Sequence, residues 1–116
     1  CQKLDLEQMM LQKSEQIRGH LRRERDGRAV DLRQTITTFG KSLRCDYRLK
    51  GWFVPQVVAA VIRDERGFIV LNATGNPDRV KVQGRPLQMY VRLENGFKLA
   101  FAKEEYVFQS GRAEAV

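Results

Sequence analysis

Residues 18–28 read RGHLRRERDGR, and the conformation assigned to this stretch decides the fold expected for the whole chain. Five arginines and one histidine stand among eleven positions, with two glycines and two acids. Upstream, Leu6, Met10, Ile17 and Leu21 recur at helical intervals, interrupted by Lys13 and widened by Leu4, Met9 and Leu11;. Glu7, Gln8, Gln12, Glu15 and Gln16 supply a polar side. The spacing predicts an amphipathic helix over 3–25. It ends at Asp26-Gly27, where glycine accepts the positive φ of a helix stop. On this reading the quoted stretch is the basic end of a helix. Arg18, Arg22, Arg23, Arg25 and Arg28 are then the candidates for contact with an anion. Leu6, Met10, Ile17 and Leu21 are the candidates for docking or self-association, including a homodimer through the helix.

The charge distribution supports an anionic partner. Of the formal net charge of +7, residues 1–17 carry −1, residues 18–50 carry +6 and residues 51–116 carry +2. Nearly all of the excess therefore surrounds the quoted stretch, which suits nucleic acid, a nucleotide, an acidic protein face or anionic lipid. With 116 residues the chain has the length of one domain, and 42% hydrophobic content is enough for a single modest core;. The longest apolar run, residues 57–62, is strand-sized and far below the roughly 20 residues of a membrane-spanning helix;. Two cysteines, Cys1 and Cys45, make no disulfide framework, and no His/Cys spacing fits a metal, so neither metal nor cofactor is expected;. Cys45 alternates with Tyr47 and Leu49 and reads as a small buried hydrophobe. A chain beginning at Cys rather than Met has been cut by design or by processing, and Cys1 also fits the lipidated start of a lipoprotein.

Beyond the quoted stretch, Leu32, Ile36, Phe39 and Leu43 share one helical face and predict a second helix over about 30–43. Thr35, Thr37, Thr38 and Gly40 weaken its intrinsic propensity;. From residue 44 the period changes to two. Cys45, Tyr47 and Leu49 alternate with charged residues, and 56–63 (QVVAAVIR) reads as a central strand;. Residues 64–67 form a hairpin turn into a strand over 68–73. Residues 74–86 form the longest loop, with a short strand at 80–82. Leu87, Met89, Val91 and Leu93 alternate up to Asn95-Gly96, the strongest short hairpin signal in the chain, and Phe97, Leu99 and Phe101 follow on one face;. Residues 106–108 make a last short strand. The expected fold is α+β: an N-terminal helix or helix pair, then a small antiparallel, split-barrel-like β-barrel of five or six strands, whose closure disposes of the sheet edges. Residues 1–28 are expected as the basic-ended helix, 29–109 as helix plus barrel and 110–116 as a polar tail.

Catalysis has no support in the residues. His20 is the single histidine, no nucleophile elbow, zinc-protease or phosphate-loop motif occurs, and adjacent acids such as Asp64-Glu65 and Glu104-Glu105 sit where solvation explains them;. Nucleic-acid binding has the charge but lacks a stacking platform; Trp52-Phe53, flanked by Arg48, Lys50 and Arg63, is the one aromatic and basic cluster;.

The order of helix, basic strand, hairpin, loop and hairpin resembles the N-terminal, PilZ-associated domain of YcgR-type flagellar brake proteins. Residues 69–72 (IVLN) and 96–101 (GFKLAF) fill the places of that family's LxLD-like and GxKVxF patterns, and the resemblance covers about 30–109. It implies a non-catalytic interaction module in a cyclic di-GMP responsive pathway of bacterial motility, binding a protein or nucleotide partner. Arg18 and Arg22 match the RxxxR spacing with which PilZ domains hold cyclic di-GMP, and paired guanidinium forks suit phosphates. The companion motif starts acceptably at Asn72-Ala73-Thr74 but has Pro77 where glycine is required, so autonomous cyclic di-GMP binding is not implied. Two other readings stand beside it: an extracytoplasmic sensor domain of a bacterial membrane receptor, suggested by residues 61–77, and a basic nucleic-acid-binding domain. The YcgR-type reading implies a cytoplasmic protein, and the sensor reading a periplasmic or otherwise extracytoplasmic, membrane-tethered one.

Overall fold

Residues four apart share a face in a helix and in a strand alike, and in the quoted stretch the strand wins. A computed structural model describes residues 17–51 and 53–112. Ile17–Arg23 is β1, hydrogen-bonded along its whole length to β11 (Glu104–Arg112) and, on its other side, to β2 (Ala29–Asp31). Two ladders satisfy the backbone of β1. Leu21 points into the interior and is fully buried, so it is a core residue and not a docking residue. Gly19 lets the opposing sheet come close: a Cβ there would stand 2.6 Å from the Phe68 ring. The predicted helix over 3–25 is thus replaced by strand and turn from residue 17 onward. Leu6 and Met10 lie outside the described residues, and Ile17 opens β1.

The second predicted helix is also strand. β3 (Ile36–Gly40) buries Thr37 and Phe39 and turns Ile36 to solvent, a period of two. A helix would have buried Leu32, Ile36, Phe39 and Leu43 together, yet Ile36 is 52% and Leu43 81% exposed. The β-branched threonines that weakened the helix are suited to the pleated backbone.

The remaining strands are β4 (Tyr47–Arg48), β5 (Ala59–Asp64), β6 (Gly67–Asn72), β7 (Val80–Val82), β8 (Arg85–Pro86), β9 (Tyr90–Arg92) and β10 (Lys98–Phe101), with a 3-10 turn at Pro77–Arg79. They form two sheets, β2-β1-β11-β10-β7-β8 and β4-β3-β5-β6-β9, packed face to face as a β-sandwich;. The expected α+β barrel is therefore corrected. Closure is not needed because the edge strands β2, β8, β4 and β9 are only two or three residues long, and short edges are poor templates for further pairing;. All pairings are antiparallel except the two-residue contact of β3 with β4. β5 is central in its sheet, as its composition predicts.

Asn95-Gly96 does not close a hairpin. β9 belongs to one sheet and β10 to the other, so this turn carries the chain across the sandwich, with Gly96 at φ 92 and its N–H donating to Phe108 O. The core lies between the sheets, built on Phe39, Phe68, Phe101 and Phe108 with Leu21, Leu99 and a set of valines. Phe39 packs against Phe101 and Tyr47, with ring centroids 4.9 and 5.5 Å away, and Phe68 meets Phe108 edge-on at 5.4 Å.

Strand direction gathers the connections at two ends. The β1–β2, β3–β4, β4–β5, β6–β7 and β10–β11 connections lie at one end, and the β2–β3, β5–β6 and β9–β10 connections at the other.

Candidate basic loop pocket

At the first of these ends, local hydrogen bonding fixes each connection. In the β1–β2 turn, Asp26 accepts from Arg23 Nε at 2.9 Å and from Arg28 N at 3.1 Å, while Gly27, at φ 72, donates its N–H to Arg23 O. Glu24 N donates to Glu105 O at 2.9 Å and ties the turn to β11. The β3–β4 and β4–β5 connections are strapped together: Lys41 N donates to Pro55 O at 3.1 Å and Ser42 N to Gln56 O at 3.0 Å. Gly40 makes this possible, since a Cβ there would lie 2.2 Å from Gln56 O. Cys45 is buried and donates its thiol to the same carbonyl. The β6–β7 loop hangs on buried Asn72. Its Nδ2 donates to Asn76 O and Leu87 O at 2.9 and 2.7 Å, and its Oδ1 accepts from the N and Oγ1 of Thr74. Asn76 then caps the 3-10 turn, and Ala102 N donates to Arg79 O, joining this loop to the β10–β11 turn.

These connections enclose a pocket of about 720 Å³ floored in part by Phe101. The β1–β2 turn contributes Arg23, Arg25 and Arg28; β4 and the loop after it contribute Arg48, Lys50 and the 85% exposed Phe53, whose φ is 63. Arg79 and Lys103 complete the set of seven cationic side chains, against one lining carboxylate, Glu104. Glu104 is already engaged, 3.2 Å from Arg25 and 3.7 Å from Arg23. Arg23 also pairs with Asp26, which raises the guanidinium pKa and holds the Asp26 carboxyl well below the usual carboxylate range. Burial beneath the pocket pushes the Tyr106 hydroxyl up to about 12, so it stays protonated at any ordinary pH. Arg28, Arg48, Lys50, Arg79 and Lys103 form no ion pair among the described residues. Five uncompensated cations facing one cavity repel one another, and an incoming anion relieves that repulsion. No group of three or more His, Cys, Asp or Glu among the described residues could hold a metal ion.

The structure divides the five predicted arginines. Arg23, Arg25 and Arg28 line the pocket. Arg18 and Arg22 point to the outer face of the six-stranded sheet, with the phase of His20, which bonds Gln109 at 2.7 Å. On a helix they would stand about 6 Å apart; four strand residues separate them by about 13 Å, too far for one clamp. Sequence reasoning missed Arg79 and Lys103, which carry no local signal. Arg48 and Lys50 were visible as flanks of the Trp52-Phe53 cluster, whereas Arg63, the third flank, lies toward the opposite end and donates to Arg33 O.

No protein-family model and no curated protein sequence matches the chain. Solved structures match it in fold. The Mycobacterium tuberculosis protein EmbR, in complex with a low-affinity phosphopeptide, superposes with a TM-score of 0.74 at 20% identity, over 85% of this chain and 26% of that one. The fold is that of FHA domains. The FHA domain of CT664 from Chlamydia trachomatis gives a TM-score of 0.69 at 16% identity, over 79% of this chain and 96% of that one. The N-terminal FHA domain of Saccharomyces cerevisiae Rad53p, in complex with a phosphothreonine peptide, gives 0.66 at 13% identity, covering 81% and 94%. This chain thus spans about a quarter of EmbR and nearly the whole of the isolated FHA domains. The YcgR-type resemblance is overturned by these FHA superpositions. Residues 69–72 and 96–101 carried it through in–out alternation, which any antiparallel strand shares. The cyclic di-GMP reading built on it falls with it.

Proposed function

We propose that this chain is a non-catalytic interaction module that binds a phosphorylated segment of a partner protein in signalling, at the basic loop pocket. The observation that carries the reading is the convergence of seven cationic side chains, from separate connections, on one cavity with a single carboxylate, itself paired. A phosphorylated side chain brings a charge of about −1.5 to −2 and three acceptor oxygens, and guanidinium forks match it with paired, charge-assisted hydrogen bonds. The FHA structures solved with phosphopeptides support the same chemistry on the same fold.

The test is a degenerate peptide library with a fixed central phosphothreonine, compared with the same library unphosphorylated, on immobilised protein. Binding is expected for the phosphorylated library alone. Calorimetry on a selected peptide should then show Arg48→Ala and Arg79→Ala each weakening affinity about tenfold, near 1.4 kcal/mol. Equal retention of both libraries, or retention of neither, overturns the reading.

A further inference from the structure

The two sheets differ in what they turn outward. On the outer face of the six-stranded sheet, alternation brings out polar groups: His20 beside Gln109, Arg22 and Lys98 flanking Val107, and Lys81 and Glu105 flanking Ala100. That is the ordinary outcome for an antiparallel sheet with one solvated face. The five-stranded sheet departs from it. Its outward positions fall in two cross-strand rows. Ile36, Ile62 and Ile69 stand side by side in the first, which ends at Arg92. In the second, Thr38 is followed by Ala60, Leu71 and Tyr90. Ile36 is 52% and Tyr90 63% exposed, while Ile62, Ile69 and Leu71 are half-buried. The core between the sheets is closed without these side chains. A contiguous apolar strip on the outside of a finished sandwich marks an interaction surface.

We infer that this face docks a segment of the same chain, residues 3–11, which lie outside the described residues. Size argues first. The rows cross four strands, about 14 Å from first to last, and stand about 7 Å apart. A second copy packed sheet on sheet would bury far less than the roughly 800 Å² per partner of a stable interface. One helix, about 10 Å across, covers both rows, and nine residues of helix extend about 14 Å. Chemistry argues second: residues 3–11 (KLDLEQMML) hold five large apolar side chains in nine positions, in the stretch whose spacing predicts an amphipathic helix;. Reach argues third. β1 starts at Ile17, at the end of the sandwich that holds the β5–β6 turn, and Gly19 lies against Phe68 of β6. The connecting residues 12–16 (QKSEQ) are all polar, as a crossing over the solvated rim requires. Extended, they span about 17 Å, enough to pass the neighbouring sheet about 10 Å away.

The experiment places a nitroxide on Cys1 of the full chain; Cys45 is buried and is left unlabelled. In isotope-labelled protein carrying the nitroxide, the amide signals of residues 36, 62, 69, 71 and 90 should broaden, and recover when the nitroxide is reduced. A mixed sample, with nitroxide on one copy and isotope on another, should show no broadening there. Broadening in the mixed sample means that a second copy covers the face and overturns the inference. An unbroadened face in both samples leaves it open to another protein and overturns it equally. A double-mutant cycle of Met10→Ala with Leu71→Ala gives the energetic counterpart. The two changes should be non-additive by at least about twofold in the folding equilibrium constant, and strict additivity, repeated for Leu6→Ala with Leu71→Ala, overturns the contact.

Discussion

The two ends of the sandwich use charge in opposite ways. At the β5–β6 end, Asp64 accepts from Arg66 N and Gly67 N, both at 2.9 Å, and takes the Arg92 guanidinium in a two-point contact at 2.6 and 3.1 Å. Both oxygens of that carboxylate are engaged, Oδ1 by three donors and Oδ2 by Arg92 alone, and its pKa is lowered to about 2, chiefly by Arg92. At the pocket end two acids, Asp26 and Glu104, pair with Arg23 and Arg25, but Arg28, Arg48, Lys50, Arg79 and Lys103 face a cavity with no ion pair among the described residues. Charge that stabilises a fold is paired internally. Charge kept unpaired at some cost in repulsion is available to a ligand.

Three measurements bear on that contrast. The largest effect should show that the core does not share the asymmetry of the ends. Phe39→Ala beneath the basic pocket and Phe68→Ala in the other aromatic pair each remove a fully buried ring. Each should cost about 3–5 kcal/mol in urea denaturation. A much smaller loss for Phe39 alone would mean that the pocket floor is loosely packed.

A smaller effect is expected at the paired end. Asp64 has a depressed pKa in the folded state, so its contribution is present above the unfolded value of about 3.9 and is lost as pH falls toward about 2;. Asp64→Asn should flatten the stability profile across that window. It should cost less than about 1 kcal/mol at neutral pH, because the carboxylate is 37% exposed and solvent screens it;. Binding of the phosphopeptide should be unchanged.

The smallest effect has the opposite sign. Arg48→Gln relieves repulsion at the open end and should raise the unfolding free energy by a few tenths of a kcal/mol, while affinity for the anion falls. A destabilised Arg48→Gln variant would mean that this side chain holds the fold rather than a ligand.

Much of the second half was legible from local chemistry. The strand around 59–64, the turn closed by Asp64 and Gly67, the short strand at 80–82 and the burial of Leu99 and Phe101 follow from alternation and turn residues. The first half was not, because Leu21 and Ile17, like Arg18 and Arg22, are four apart. That interval is one helical turn and also two strand repeats, so periodicity alone could not choose. The threonines of 35–38 held the better signal. Asn95-Gly96 misled for a different reason: a turn sequence specifies a reversal, and whether the reversal joins neighbours in one sheet or crosses between two depends on where the partner strands lie.

Taken alone, the amino-acid sequence determined where the excess positive charge lies, in residues 18–50, because a local excess of arginine needs no fold to be seen. It also determined the small apolar core and the alternating second half. Only the tertiary structure decided that β1 is a strand, because its hydrogen-bonding partners, β2 and β11, come from residues 29–31 and 104–112. The further pairing of β11 with β10, and of β10 with β7, brought Lys103 and Arg79 to the pocket that Arg25 and Arg28 line. Charges far apart in the chain make one site when strand order sets their turns side by side, and strand order is a property of long-range pairing that no local spacing records.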